Sequence, residues 1–189
     1  MGIDIVPFQA RLERLCYSYD IRLVGFANIE NNDIEIFKKY SRAMVIANPF
    51  DDELMNYFED DIFKFHVKHI KSFLETIALR IFNILTMEGY KALMLPSLFL
   101  KSDNEYSEFN KVTAKKAGLG NIGKGDFFVS PTFGNKIVIC SVLTDAPFEY
   151  DGENNLDLCK VCNICEKENH ISSIKKCPYG KNKNFINRR

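Results

Sequence analysis

Four of the six cysteines fall in one short segment, Cys159-Lys-Val-Cys162-Asn-Ile-Cys165 followed by Cys177-Pro178. Three cysteines at C-x2-C-x2-C let successive thiolates wrap one iron–sulfur cube corner by corner, with the cysteine before proline as the fourth ligand. A zinc site ordinarily uses separated C-x2-C pairs and leaves the middle cysteine of a triple without a role. The spacing therefore points to one 4Fe-4S cluster on Cys159, Cys162, Cys165 and Cys177. Structural zinc and unliganded thiols are the alternatives. Cys16 and Cys140 stand alone in apolar surroundings and read as small buried hydrophobes.

Two-cluster ferredoxins carry C-x2-C-x2-C-x3-C-P twice, and the fourth cysteine of each run serves the other cluster. Here the fourth position of the first run is Asn169. A second run read back from Cys177 would need cysteines at Lys167, His170 and Ser173. The ligands lost are those of the second cluster alone, so the pattern is that of one cluster retained and one deleted.

A second segment, Ala117-Gly-Leu-Gly120 then Ile122-Gly-Lys124, follows a predicted helix. A dinucleotide fingerprint follows a strand, and a P-loop needs a four-residue spacer and a Ser or Thr after its lysine, so neither fits. The glycines either pack a tight turn or let backbone amides approach a large flat or anionic ligand. His66, His69 and His170 form no metal set. His66 and His69 lie on the polar face of a predicted helix. The basic run Lys175, Lys176, Lys181, Lys183, Arg188 and Arg189 reads as a solvated face.

The elements that must hold these segments follow from periodicity. Residues 7–18 place Phe8, Leu12, Leu15 and Cys16 at helical spacing behind Pro7. Residues 21–27 and 43–47 read as strands, the latter closed by Asn48-Pro49. From about 53 to 87 an i, i+3, i+4 pattern through Phe63, Val67, Ile70, Leu74, Ile77, Ile81, Ile84 and Leu85 predicts a long helix ended by Gly89. Residues 90–95 read as a strand stopped by Pro96, and 97–110 as an irregular, polar active-site loop. A short helix covers 111–117. Strands at 127–130 and 136–143 are joined by Thr132-Phe-Gly-Asn135, a candidate hairpin turn. The class is mixed α/β (α+β), one sheet packed by helices over residues 1–148, with a cysteine-bearing appendage over 149–189.

Composition bounds the rest. The 189 residues are 46% hydrophobic, enough for a true core, and 25 basic side chains balance 25 acidic ones. That balance gives no whole-surface attraction for nucleic acid or an anionic membrane. There is no signal-peptide pattern and no apolar run long enough to span a bilayer, so a cytoplasmic protein without membrane association is expected.

Ala114-Lys-Lys-Ala-Gly-Leu-Gly-Asn-Ile-Gly-Lys124, Ser130-Pro-Thr-Phe-Gly134 and Val142-Leu-Thr-Asp-Ala-Pro147, followed by the cysteines, form an ordered set. Upstream stand Leu23-Val-Gly-Phe-Ala27, Tyr40-Ser-Arg-Ala-Met-Val-Ile-Ala47 with Pro49, and Gly89-Tyr-Lys-Ala92. Together they resemble the epoxyqueuosine reductases, cobalamin-dependent iron–sulfur enzymes related to reductive dehalogenases. The resemblance implies a nitroreductase-like body that binds cobalamin beside Gly118, Leu119, Gly120, Ile122, Gly123 and Lys124. Ser130, Pro131, Phe133, Gly134 and Asp145 fall in the matching scaffold blocks. It also implies an electron donor such as a ferredoxin or flavodoxin, and a corrinoid protein as a further partner.

Three departures accompany it. Relatives hold two clusters and this chain has ligands for one. The family's acidic proton donor falls on Asn104, with Asp103 beside it and Glu105 and Tyr106 following, and the usual A-P-V-L-E is absent. The chain also lacks the helical-repeat region with which the reductase engages tRNA, so tRNA is not the expected substrate. The expectation is a cluster-bearing redox protein acting on a small molecule. The alternative is a non-catalytic electron-transfer module or a redox sensor.

Overall fold

In the computed structural model the described residues are 7–58, 60–102, 104–153, 159, 160, 162, 164–167 and 177. Asp103, His170 and the basic residues Lys175, Lys176, Lys181, Lys183, Arg188 and Arg189 lie outside them.

The chain forms helix α1 (Phe8–Ser18), strands β1 (Leu23–Asn28) and β2 (Arg42–Pro49), the long helix α2 (Asp61–Met87), and short strands β3 (Ala92–Met94) and β4 (Leu98–Phe99). Helix α3 (Glu105–Lys116), strands β5 (Asn121–Ile122), β6 (Phe128–Val129) and β7 (Ile137–Thr144), and a single turn α4 (Ile164–Lys167) follow. The main sheet runs β1-β2-β7-β3, with β4 also on β7, and every pairing is antiparallel.

Strand β7, Ile-Val-Ile-Cys-Ser-Val-Leu-Thr, is central because it is buried along its whole length. Its alternate residues serve two cores, as the period of two requires. Val138, Cys140 and Val142 join Met44 and Ile46 of β2 against α1 and against Leu74, Ile77, Ala78, Ile81 and Leu85 of α2. Ile137, Ile139 and Leu143 join Val45 and Ala47 against Phe109 and Ala114 of α3 and against Ala117 just after it. The fold is thus a helix–sheet–helix sandwich of mixed α/β class, with α3 on the face opposite α2.

Several boundaries differ from the sequence reading, each for a local reason. The long helix starts later: Asp52–Tyr57 is a separate 3-10 segment, and the Asp60 side chain caps α2 by accepting from Ile62 N at 2.9 Å. Its other end is as expected. Gly89 adopts φ 89°, and Gly89 N and Tyr90 N donate to Thr86 O and Leu85 O in a Schellman cap.

The region 97–110 is not one irregular loop. It holds β4, and α3 begins at Glu105 because Asn104 caps it. Strands β3 and β4 both lie on β7 and are interrupted at Pro96, which has no N–H to give the ladder. There Ser97 N donates to Glu75 Oε1 of α2 at 3.1 Å instead. Finally, the turn after β6 closes through reciprocal Ser130–Gly134 hydrogen bonds of 2.8 Å, but β6 pairs with β5 and not with β7.

Candidate iron–sulfur site

The pair β5–β6 carries the turn Gly123-Lys-Gly-Asp126. Gly123 N donates to Phe127 O at 2.8 Å, and Asp126 N donates back to Gly123 O at 2.9 Å. Asp126 takes a left-handed φ of 58°, a conformation Asp tolerates better than most residues. One face of this turn is the wall of a small pocket. Gly123, Gly125, Phe127, Val129 and Ile164 line it together with Cys159, Cys162, Cys165 and Cys177. The structure therefore brings the four cysteines picked from spacing to one pocket, all of them partly buried. Cys162 N donates to Cys159 O at 3.1 Å, so the first C-x2-C closes as a tight turn, and Cys165 starts from α4. Among the described residues, no three His, Cys, Asp or Glu side chains meet as a ligand group for a single metal ion.

The glycines explain why this wall can approach the thiols. A Cβ on Gly123 would lie 2.8 Å from Cys159 Sγ, and one on Gly125 would lie 3.2 Å from Cys165 Sγ. Cysteine sulfur, apolar walls and a turn with glycine facing Cys159 and Cys165 fit the donor set a cysteine-ligated cluster needs.

The other glycines are occupied differently. Gly118 has φ 71°, and a Cβ there would sit 2.7 Å from Gly152 O. At Gly120 it would sit 2.3 Å from Val129 O. Both glycines are required by the protein's own backbone packing. Gly118 and Leu119 also border an open groove of about 810 Å³ with Val24, Asp151, Gly152 and Glu153. Asp151 closes one end of that groove on β1: its Oδ2 accepts from Phe26 N at 2.9 Å and its N donates to Phe26 O at 3.1 Å. The glycine segment thus runs from the groove at Gly118 to the cysteine pocket at Gly123. Ile122 lies between them in β5, and Lys124 is exposed on the turn.

Asn104 is exposed at the start of α3, and its Oδ1 accepts from Tyr106 N at 2.9 Å and Ser107 N at 3.4 Å. Asp145 serves as a tie, its Oδ1 accepting from Lys91 N at 2.8 Å.

Sequence reasoning missed the side chain that anchors the turn. Lys111 of α3 is buried, and its Nζ donates to Asp126 O at 2.9 Å and Asp126 Oδ1 at 3.1 Å while also pairing with Glu108. Lys101 reaches Asp126 from the far side at 3.2 Å. Burial alone would raise the Asp126 pKa, but the two ammonium groups outweigh it and hold the carboxyl below its usual value. A lysine at the apolar spacing of a helix is the only sequence signal that could have marked Lys111.

The two lone cysteines are buried, as expected. Burial, aided by the Glu13 charge, pushes the Cys16 thiol up to about 12, and burial raises Cys140 further still. In cluster-free native protein a disulfide reagent at pH 8 is expected to titrate Cys159, Cys162, Cys165 and Cys177, with Cys16 and Cys140 reacting only after denaturation. A six-thiol burst before unfolding would contradict this placement.

No family profile matches the chain. Over 95 residues, half of this chain, it is 32% identical to the epoxyqueuosine reductase of Listeria monocytogenes, and it spans 23% of that protein's length. The structure of epoxyqueuosine reductase from Streptococcus thermophilus superposes with a TM-score of 0.60 at 14% identity, covering 86% of this chain and 52% of that one. A reductive dehalogenase structure linked to B12-dependent dehalogenation gives 0.67 at 22% identity, covering 88% and 25%. The class defined by fold is thus the mixed α/β body common to these two groups of proteins. The sequence match adds that half of the chain resembles epoxyqueuosine reductase.

Proposed function

We propose that this chain is a redox protein that holds one 4Fe-4S cluster on Cys159, Cys162, Cys165 and Cys177. Residues 149–189 form its cluster segment and residues 1–148 its reductase-like body. The observation that carries the reading is the convergence of all four thiols on a pocket whose opposite wall is glycine at the two points nearest Cys159 and Cys165. A cluster bound there would supply one-electron transfer. The chain's own part is to provide the thiolates, to hold them against the Gly123–Asp126 turn, and to keep water out with Phe127, Val129 and Ile164.

The likeness to cobalamin-related reductases extends the proposal to a corrinoid, whose place would be the open groove bordered by Gly118 and Leu119. That groove lies at the end of the glycine segment away from the cysteines. Reduction of a small molecule, or of a partner's corrinoid, is the activity this supports. A second reading, an electron-transfer module without its own chemistry, is favoured by Asn104. Its amide oxygen is engaged in capping α3, and an amide has no proton to give as a general acid does.

Anaerobic reconstitution with iron and sulfide, followed by cobalamin titration, tests both. The expected product carries about four irons per chain with visible charge-transfer absorption. Stoichiometric zinc with no iron would end the cluster reading. A spectral change with cobalamin supports the reductase, and its absence at high concentration supports the module.

A further inference from the structure

Away from the cysteine pocket, the protein carries a second, basic groove that shares none of its lining residues. Helix α2 and strand β4 form it, about 850 Å³ in open volume, with Phe63, Val67 and Phe99 as its floor and Lys64, Lys68 and Lys71 along its rim. Its one acidic lining residue, Glu75, is turned inward, accepting from Ser97 N at 3.1 Å and Ser97 Oγ at 2.6 Å. Lys64 pairs with Asp61 at 3.3 Å, which leaves Lys68 and Lys71 as the main positive charge of the rim in a chain of zero formal net charge.

We propose that this groove is the docking surface for a small acidic one-electron carrier protein of the ferredoxin type. The inference rests on the cluster reading above and adds where the electron enters.

Two observations select that occupant. The first is charge: lysines around an apolar floor match a partner with carboxylates around an exposed redox centre, and such pairing steers encounter and fixes orientation. The second is position. Phe63 and Val67 of the groove floor belong to the same buried cluster as Phe127, with Phe99 packed against it. Phe63 and Phe99 stand 5.8 Å apart, centroid to centroid. Phe127 also lines the cysteine pocket, so one buried apolar cluster is shared by groove and pocket. The step is a single electron passing from the reduced carrier, which is oxidised by one electron, to the oxidised cluster, which is reduced by one. No bond forms or breaks and no proton moves.

The test uses a dithionite-reduced acidic ferredoxin as the probe and two charge-reversal pairs of equal size: Lys68→Glu with Lys71→Glu in the groove, and Lys38→Glu with Lys39→Glu far from it. Binding of ferredoxin to each protein is measured by interferometry as a function of salt, and cluster reduction by stopped flow on reconstituted protein. The groove pair is expected to weaken binding and slow the second-order reduction by about tenfold at low ionic strength, with a flatter salt dependence. Reduction by a small-molecule reductant should be unchanged, and the remote pair should have the smaller effect. Equal losses in both pairs, no loss in the groove pair, or a wild-type protein that does not bind ferredoxin would each overturn the docking proposal. Failure to assemble a cluster would instead remove the reading it rests on, and the binding measurement would still decide the groove.

Discussion

Gly123→Ala is expected to yield a folded chain that no longer holds iron. The added methyl would stand 2.8 Å from Cys159 Sγ and 3.2 Å from Val129 Cγ2. Cys159 Sγ is the far end of a flexible side chain and not backbone, so the clash is relieved by turning the thiol away. The same movement takes one ligand off its corner of the site, and metal sites lose affinity steeply when a ligand is displaced or its support is lost. Iron retained after reconstitution should fall from about four per chain to a small fraction of that, while the thermal transition of the cluster-free protein shifts little. Gly120→Ala is the contrasting control. Its methyl would meet Val129 O, a backbone atom, at 2.3 Å, and backbone cannot turn aside. That variant should lose stability with or without iron. If Gly123→Ala reconstitutes like the wild type, the turn is not the wall of a cluster site.

Much of the body was legible because apolar periodicity records burial. The apolar runs in residues 43–47 and 136–143 are the two-faced burial of β2 and β7, and the stripe from Phe63 to Leu85 is the face α2 gives the sheet. What periodicity could not show is pairing. Strands β5 and β6 are two residues each, too short for any pattern, so Phe128–Val129 was assigned to the neighbouring long strand when its true partner is Asn121–Ile122. The start of α3 was missed because its first turn, Glu105-Tyr-Ser-Glu, is polar. The signal lay in Asn104, a residue that caps helices by accepting backbone N–H groups.

The site divides in the same way. The cysteine spacing was sufficient to name the four residues that share the pocket. The glycine segment reads as either a tight turn or a ligand-facing backbone, and in space its ends do different things: Gly118 and Gly120 admit neighbouring backbone, Gly123 makes room for the Cys159 sulfur, and the unremarked Gly125 for the Phe127 ring and the Cys165 sulfur. Sequence marks that a Cβ is unwelcome and carries nothing about what occupies its place.

Lys111→Met should destabilise the protein by about 2–4 kcal/mol, with loss of the turn as the local event. The Lys111 side chain is 5% exposed, Glu108 26% and Asp126 60%. Removing the ammonium leaves Glu108 as a part-buried carboxylate with no cation, and it frees the Asp126 carbonyl that holds a left-handed residue in place. Asp126 keeps Lys101 and so contributes the smaller share. Because the penalty is mainly an orphaned charge, removing that charge as well should restore stability: Glu108→Leu combined with Lys111→Met is expected to recover at least half of the loss, a coupling that a double-mutant cycle in urea would read directly. The acid limb gives an independent check. Asp126 has its folded pKa below the unfolded one, so its contribution is full above the ordinary carboxylate value and disappears as pH falls through the lowered one. That contribution should shrink in Lys111→Met and also in Lys101→Met, because both ammonium groups hold the Asp126 carboxyl below its usual value. Since the same turn places Gly123 and Gly125 against Cys159 and Cys165, the folded fraction of Lys111→Met should also release iron faster than the wild type. A variant that lost stability yet kept iron as tightly would mean that the α3 anchor and the cysteine pocket are mechanically independent.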